Sequence, residues 1–227
     1  MRPKICVPIM ERNVKETIKV LRRLEPQNPD FVEIRFDLMK PRSDISEIRN
    51  ATHRLLIATN RRKDQGGLFS GAEENRLATL TQAAEEAFDY VDVELNTYDL
   101  GQRVRGLKRH GANVIISYHN ERSTPSQDAL ESVLEREKRV GADVCKIVGT
   151  ARSYADSLRC LLLLSKHARR SRLVCFSMGR MGIPSRLLSP LFGAYFTFAS
   201  YGTGRETASG QIPIEKLRAL YSELGSS

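Results

Sequence analysis

The segment Asp143-Val144-Cys145-Lys146-Ile147-Val148 reads as a β-strand that sets one lysine among apolar residues on both faces. Lysine is rarely buried unless it is paired or functional. Pointed into a dry interior near cations such as Arg35 and Arg61, this amine would have a lowered pKa. Bringing it from about 10.4 to about 7 takes roughly 4–5 kcal/mol of differential interaction, which burial can supply. A neutral amine in a pocket is the nucleophile that Schiff-base chemistry with a ketone requires. The plainer alternative is a lysine that snorkels out of the strand end. Ile115-Ile116-Ser117-Tyr118-His119 places a histidine at the end of the preceding strand. Alone, it reads as a hydrogen-bonded structural residue; beside an imine-forming lysine, it can move protons at the adjacent carbon.

A second group lies in Val32-Glu33-Ile34-Arg35-Phe36-Asp37, where the period of two puts Glu33, Arg35 and Asp37 on one face. A half-exposed strand with an i, i+2 ion pair would look the same. In a closed barrel, Ile34 and Phe36 would face the helices and the charged trio would face the interior mouth. Ala58-Thr59-Asn60-Arg61, followed by Arg62-Lys63-Asp64-Gln65-Gly66-Gly67, places Arg61 at another strand end.

These residues need elements to hold them. Strands are expected at Ile5–Ile9, Phe31–Phe36, Leu55–Thr59, Tyr90–Leu95, Val114–Tyr118, Val144–Val148, Leu173–Phe176 and Tyr195–Ala199. Helical signals fill the gaps. Val14, Ile18 and Leu21 follow a capping Asn13 at i, i+4, i+7. Thr124-Pro125-Ser126-Gln127 reads as a capping box with Pro125 at the first helical position, ahead of the stripe Ala129, Leu130, Val133, Leu134 and a closing Gly141. Ser153 to His167 and Pro213 to Leu224 read the same way. Eight alternating units predict an α/β fold, a single-domain (β/α)8 TIM barrel over residues 1–227, with functional groups at the C-terminal ends of its strands. The open doubly wound alternative wants a glycine-rich turn after the first strand, and Pro8-Ile9-Met10-Glu11-Arg12-Asn13 has none.

The 227 residues are 41% hydrophobic and 28% charged, the balance of a globular domain. No apolar run approaches the roughly 20 residues of a membrane span. Together with the absence of a secretory signal, this points to the cytoplasm and no membrane partner. Cys6, Cys145, Cys160 and Cys175 lack metal or redox spacing and read as buried thiols, so no metal site is expected. The net charge of +9 suits a small anion. The basic runs Arg61-Arg62-Lys63 and Arg169-Arg170-Ser171-Arg172 have no interleaved aromatic, which argues against nucleic acid.

Taken in order, the motifs resemble the type I 3-dehydroquinate dehydratase family along essentially the whole chain. Glu33-Ile34-Arg35-Phe36-Asp37 resembles its Glu-x-Arg-x-Asp strand, Arg61 with Gln65-Gly66-Gly67 its arginine and Glu-Gly-Gly loop, and His119 and Lys146 its histidine and imine-forming lysine. Phe176-Ser177-Met178-Gly179 through Gly182 and Ser185-Arg186 resembles its Ser-Met…Gly…Ser-Arg stretch. Thr207-Ala208-Ser209-Gly210-Gln211 resembles its lid loop. The resemblance implies a lyase that uses no cofactor, acts on 3-dehydroquinate, and forms a homodimer. It implies that Lys146 and His119 are catalytic, that Arg186 holds the substrate carboxylate, and that Glu33, Arg35 and Arg61 bind ring hydroxyls. Thr207, Ala208 and Gln211 would close over the ring, while Met178 and Phe198 would line its apolar wall. Gln65 stands where the family usually has glutamate and brings no charge to the histidine, so lower activity or a shifted pH optimum is expected. Ser209 replaces the usual lid proline, which predicts a more mobile loop. Two other readings are a sugar-phosphate aldolase of the Schiff-base type, with Gly202-Thr203-Gly204 as phosphate loop, and a non-catalytic basic barrel that binds nucleic acid.

Overall fold

Alternation of inward and outward side chains along each strand is the rule that builds this molecule. The computed structural model describes residues 2–40 and 44–225. Its strands are β1 (Ile5–Ile9), β2 (Phe31–Arg35), β3 (Leu55–Thr59), β4 (Tyr90–Glu94), β5 (Asn113–His119), β6 (Val144–Thr150), β7 (Leu173–Met178) and β8 (Thr197–Phe198). Each is followed by a helix: α1 (Val14–Leu24), α2 (Ser46–Asn50), α3 (Glu73–Glu85), α4 (Leu100–Arg109), α5 (Gln127–Arg139), α6 (Tyr154–His167), α7 (Ile183–Leu188) and α8 (Ile214–Glu223). All strand pairs are parallel, and β8 pairs with β1 through Ile5 opposite Thr197 and Cys6 opposite Phe198. On the other side the Tyr195 N–H donates to the Leu173 carbonyl at 2.8 Å, joining the approach to β8 with β7. The result is a nearly closed single-domain (β/α)8 barrel.

Two apolar layers follow from the strand period. Outward residues such as Val32, Ile34, Ile116, Ile147 and Cys175 pack under the helices. Inward residues Phe31, Ile57, Tyr90, Ile115, Val144 and Phe196 plug the N-terminal end of the barrel. There Phe31 meets Tyr90, Tyr195 and Phe196 with ring centroids 5.7, 5.6 and 4.8 Å away. Above this dry floor the inward positions turn polar, and the site begins.

The capping expected at Asn13 is present, its side chain accepting the Glu16 N–H at 2.9 Å. The expected cap at Thr124 is displaced by two residues. Ser126 caps α5 by accepting the Ala129 N–H, and Pro125 precedes the cap instead of opening the helix. Thr124 packs on the outer face of the barrel wall, its hydroxyl 2.7 Å from Ser177 Oγ, against Gly149, where any Cβ would stand 2.8 Å from it. A threonine wedged into the barrel wall has no freedom to cap. β5, β6 and β7 run longer than expected at their C-terminal ends and β8 is shorter, because the tops of these strands carry polar side chains that hide the period.

The floor generates the first prediction. Phe31→Ala removes a fully enclosed ring and should cost about 3–5 kcal/mol in urea unfolding. A loss below about 1 kcal/mol would contradict this packing.

Candidate active site

Successive inward positions climb each strand towards one mouth. Glu33 and Arg35 rise on β2, Arg61 follows β3, His119 ends β5, Lys146 sits mid-β6 and Met178 ends β7. These six line one cavity with Gln65, Phe198 and Arg186, and with Thr207, Ala208 and Gln211 from the loop after β8. Every site residue expected from sequence is in that lining, and Gly66, Glu121, Val148 and Phe176 complete it. Asp37, the third of the charged strand residues, does not line it. Asp37 grips Arg35 through two hydrogen bonds, Nε–Oδ1 2.8 Å and Nη2–Oδ2 2.7 Å, and accepts the Leu68 N–H at 3.0 Å.

Lys146 is buried, and its nearest charges are carboxylates rather than the cations expected. Its Nζ donates to Asp92 Oδ2 at 2.9 Å and to Glu33 Oε1 at 3.4 Å, and stands 4.6 Å from the centre of the Phe198 ring. Arg61 reaches the far oxygen of the same aspartate, Oδ1, at 2.7 Å, and also binds Glu94 at 3.3 Å. Ser117 donates to Asp92 at 2.6 Å and receives from Arg61 at 2.7 Å, while Thr59 donates to Glu33 at 2.8 Å. Burial opposes ionisation of Asp92, but Arg61 and Lys146 outweigh it and hold the carboxyl well below its usual range. Arg76 from α3 neutralises Glu94 from behind.

His119 is the proton carrier that this arrangement offers. Burial first, then the positive charges of Arg61 and Lys146, pushes its imidazole well below the usual histidine value, so the ring is neutral at pH 7. Its Nδ1 is buried without a hydrogen-bond partner. Gln65 does not address the ring. Its Oε1 accepts the main-chain N–H of His119 at 3.2 Å and so fixes the strand end.

Arg186 differs from every other cation of the cavity. It is buried on α7, stacks 4.2 Å from the Phe176 ring centre, and makes no ion pair among the described residues. Nη2 donates to the Ser209 carbonyl at 3.3 Å, and Nε and Nη1 have no partner. Burial alone draws its pKa down to about 9. α7 can carry it there because Gly182 fits against the Ser177 carbonyl, which a Cβ would approach to 2.1 Å. The loop after β8 rests on the mouth: the Gly179 N–H donates to Ser209 O at 3.3 Å, and Gln211 Oε1 accepts the Thr207 N–H at 2.8 Å. The expected phosphate loop is not part of this cavity. Gly202, Thr203 and Gly204 lie outside its lining, and the Gly204 N–H is given to Glu206 at 3.2 Å.

Asp92, Glu94 and Ser117 were missed in sequence. The signal was present, since Tyr90-Val91-Asp92-Val93-Glu94 carries the same i, i+2 charges as β2.

His119 makes stability depend on pH with a definite sign. Its folded value lies below the unfolded value of about 6.5, so nothing is lost while both states are neutral. Below about pH 6.5 the unfolded chain takes the proton first, and stability falls by up to about 1.4 kcal/mol per pH unit. Urea unfolding at about pH 7.5 and about pH 5.5 should show a smaller fall in His119→Gln than in the parent. Equal falls would contradict the assignment.

Comparison with known proteins finds relatives over nearly the whole chain. A 3-dehydroquinate dehydratase of Methanothermobacter thermautotrophicus is 38% identical over 229 residues, spanning 99% of this chain and 98% of that protein. One from Methanocaldococcus jannaschii is 32% identical over 219 residues, 96% of this chain and 97% of its own. Among solved structures, 3-dehydroquinate dehydratase from Geobacillus kaustophilus superposes with a TM-score of 0.92 at 25% identity, covering 100% of this chain and 92% of that one. The type I enzyme from Clostridium difficile, solved with covalently modified comenic acid, gives 0.88 at 28% identity, covering 98% and 92%. The sequence model described as type I 3-dehydroquinase matches residues 5–227, and the chain belongs to that family.

Proposed function

We propose that this chain dehydrates 3-dehydroquinate to 3-dehydroshikimate, the third step of chorismate and aromatic amino-acid biosynthesis, through an imine on Lys146. The observation that carries the reading is the pairing of a buried, carboxylate-bracketed lysine with one buried guanidinium that has no counter-ion among the described residues. Arg186 keeps Nε and Nη1 without a partner and gives only one hydrogen bond from Nη2, so it retains N–H donors for an anion, and a carboxylate suits them. Names of relatives at 32–38% identity support the same substrate.

In its unprotonated form the Lys146 amine adds to the C3 ketone and one water leaves, forming an imine. Protonated, that nitrogen keeps the positive charge that Asp92 and Glu33 already surround, so the carboxylates favour the electron-poor form. The iminium acidifies C2, and neutral His119 removes its proton to give an enamine. The enamine expels the C1 hydroxyl, which takes the proton back from His119 and departs as a second water. One water then hydrolyses the imine, so the net change is loss of one water. Glu33, Arg35 and Arg61 bind the ring hydroxyls, Thr207, Ala208 and Gln211 close over them, and Met178 and Phe198 form the apolar wall. Gln65 holds the main chain of His119 without adding charge, which supports an altered pH profile relative to a glutamate there.

We read the chain as a cytoplasmic homodimer. Four free, buried cysteines support a reducing compartment. No helix among the described residues is long and apolar enough to cross a membrane. Tyr154, Leu158 and Leu162 stand exposed at i, i+4, i+8 along α6, beside exposed Met181, Leu191 and Phe192 on the turns that pack against it. A second copy covering this stripe accounts for its composition.

Two tests follow. Lys146→Ala should abolish formation of the conjugated enone, and Arg186→Gln should raise KM at least tenfold. Turnover by Lys146→Ala would sink the imine route, while an unchanged KM would sink the role of Arg186. Leu158→Asp should convert a dimer to a monomer in light scattering, and a parent chain that is already monomeric would overturn the α6 interface.

A further inference from the structure

The N-terminal rim of the barrel repeats with a period of two strands. Asp30, just before β2, accepts the Ile5 N–H of β1 at 2.9 Å. Asp89, before β4, accepts the Leu56 N–H of β3 at 2.8 Å, and Asp143, before β6, accepts the Val114 N–H of β5 at 2.8 Å. Each of these carboxylates also binds a cation: Arg2 for Asp30, Arg49 at 2.8 Å for Asp89, and Lys108 at 2.8 Å for Asp143. The main chain repeats too, since the Asp30 N–H donates to Ile5 O and the Asp143 N–H to Val114 O.

In the fourth quarter the residue in this place is Tyr195, whose N–H donates to Leu173 O of β7 at 2.8 Å. The carboxylate is missing, but the cations are not. Arg172 lies 5.2 Å and Lys4 5.0 Å from the Tyr195 ring centre. Arg169, Arg170 and Arg172 line a cavity of about 300 Å3 together with Ser171 and Tyr195. None of these four cations has an ion pair or a side-chain hydrogen bond among the described residues. The basic run that lacked an aromatic in sequence has one in space.

We propose that this cavity, at the end of the barrel opposite the Lys146 site, is a binding site for a small phosphate-bearing anion. Three guanidiniums line this cavity and Lys4 stands on the Tyr195 ring at its wall, all without a counter-charge among the described residues, and a polyvalent anion supplies what Asp30, Asp89 and Asp143 supply elsewhere on the rim. Arginine clusters match phosphate oxygens with paired N–H donors. The Tyr195 ring is already taken by Arg172 and Lys4, as well as by Phe31 and Phe196, so it offers no platform for a nucleobase. This favours a compact inorganic or sugar phosphate over nucleic acid.

Calorimetric titration of the full chain with inorganic pyrophosphate should show one saturable site. The exposed double variant Arg169→Gln/Arg170→Gln should weaken it at least tenfold with kcat and KM for 3-dehydroquinate unchanged. Arg186→Gln, at the other end of the barrel, should leave it intact. No saturable binding overturns the proposal, as does binding lost in Arg186→Gln but kept in the double variant. Tight binding of single-stranded oligonucleotides with pyrophosphate excluded would also overturn it, by making the surface a nucleic-acid site.

Discussion

The salt-bridged run Arg61–Asp92–Lys146–Glu33, closed inside a barrel of apolar walls, is the constraint to which the rest of the molecule answers. A lone buried charge costs several kcal/mol, and removing one partner from such a pair typically costs about 3–5 kcal/mol. Each member must therefore be held at a fixed height by its own strand. Closure of eight parallel strands provides that, because neighbouring inward positions meet at the axis. The aromatic floor below, formed by Phe31, Tyr90 and Phe196, keeps water from reaching the charges from beneath.

Charge balance then explains why the cavity suits an anion. Of the cavity cations, Arg35 is matched by Asp37, Arg61 by Asp92 and Glu94, and Lys146 by Asp92 and Glu33. Arg186 is left over, fixed on α7 by its stack on Phe176. The interior is thus a nearly neutral network with one positive vacancy at its edge and a neutral imidazole beside it. The Ser209 carbonyl receives both the Gly179 N–H and the Arg186 side chain, so the loop over the mouth and the anion site share an anchor.

Much of this was readable from residue order. Ile5–Ile9 and Leu55–Thr59 matched the strands end for end. Glu33, Arg35, His119, Lys146 and Met178 gather at one cavity because strand period and barrel closure point them there, while α7 brings Arg186 and the loops bring Gln65, Thr207, Ala208 and Gln211. Three-dimensional partners were not readable. Asp92 lies 54 positions from Lys146, and only the register of β4 on β5 and β5 on β6 brings the two together. The electrostatic setting of the lysine was therefore misjudged, with cations expected where carboxylates stand. Thr124 failed for a related reason: its local capping pattern was real, but packing against Gly149 took precedence. The pairing of Tyr195 with Arg172 and Lys4 was likewise invisible, joining three segments far apart in the chain.

The central claim is that Lys146 carries the reaction as a covalent imine inside its cage of carboxylates. Borohydride reduction of the full chain in the presence of 3-dehydroquinate, followed by intact mass and peptide mapping, addresses it directly. The account predicts one stable adduct per chain, located on Lys146. Turnover without any trapped adduct, or an adduct mapped to another lysine, would contradict it.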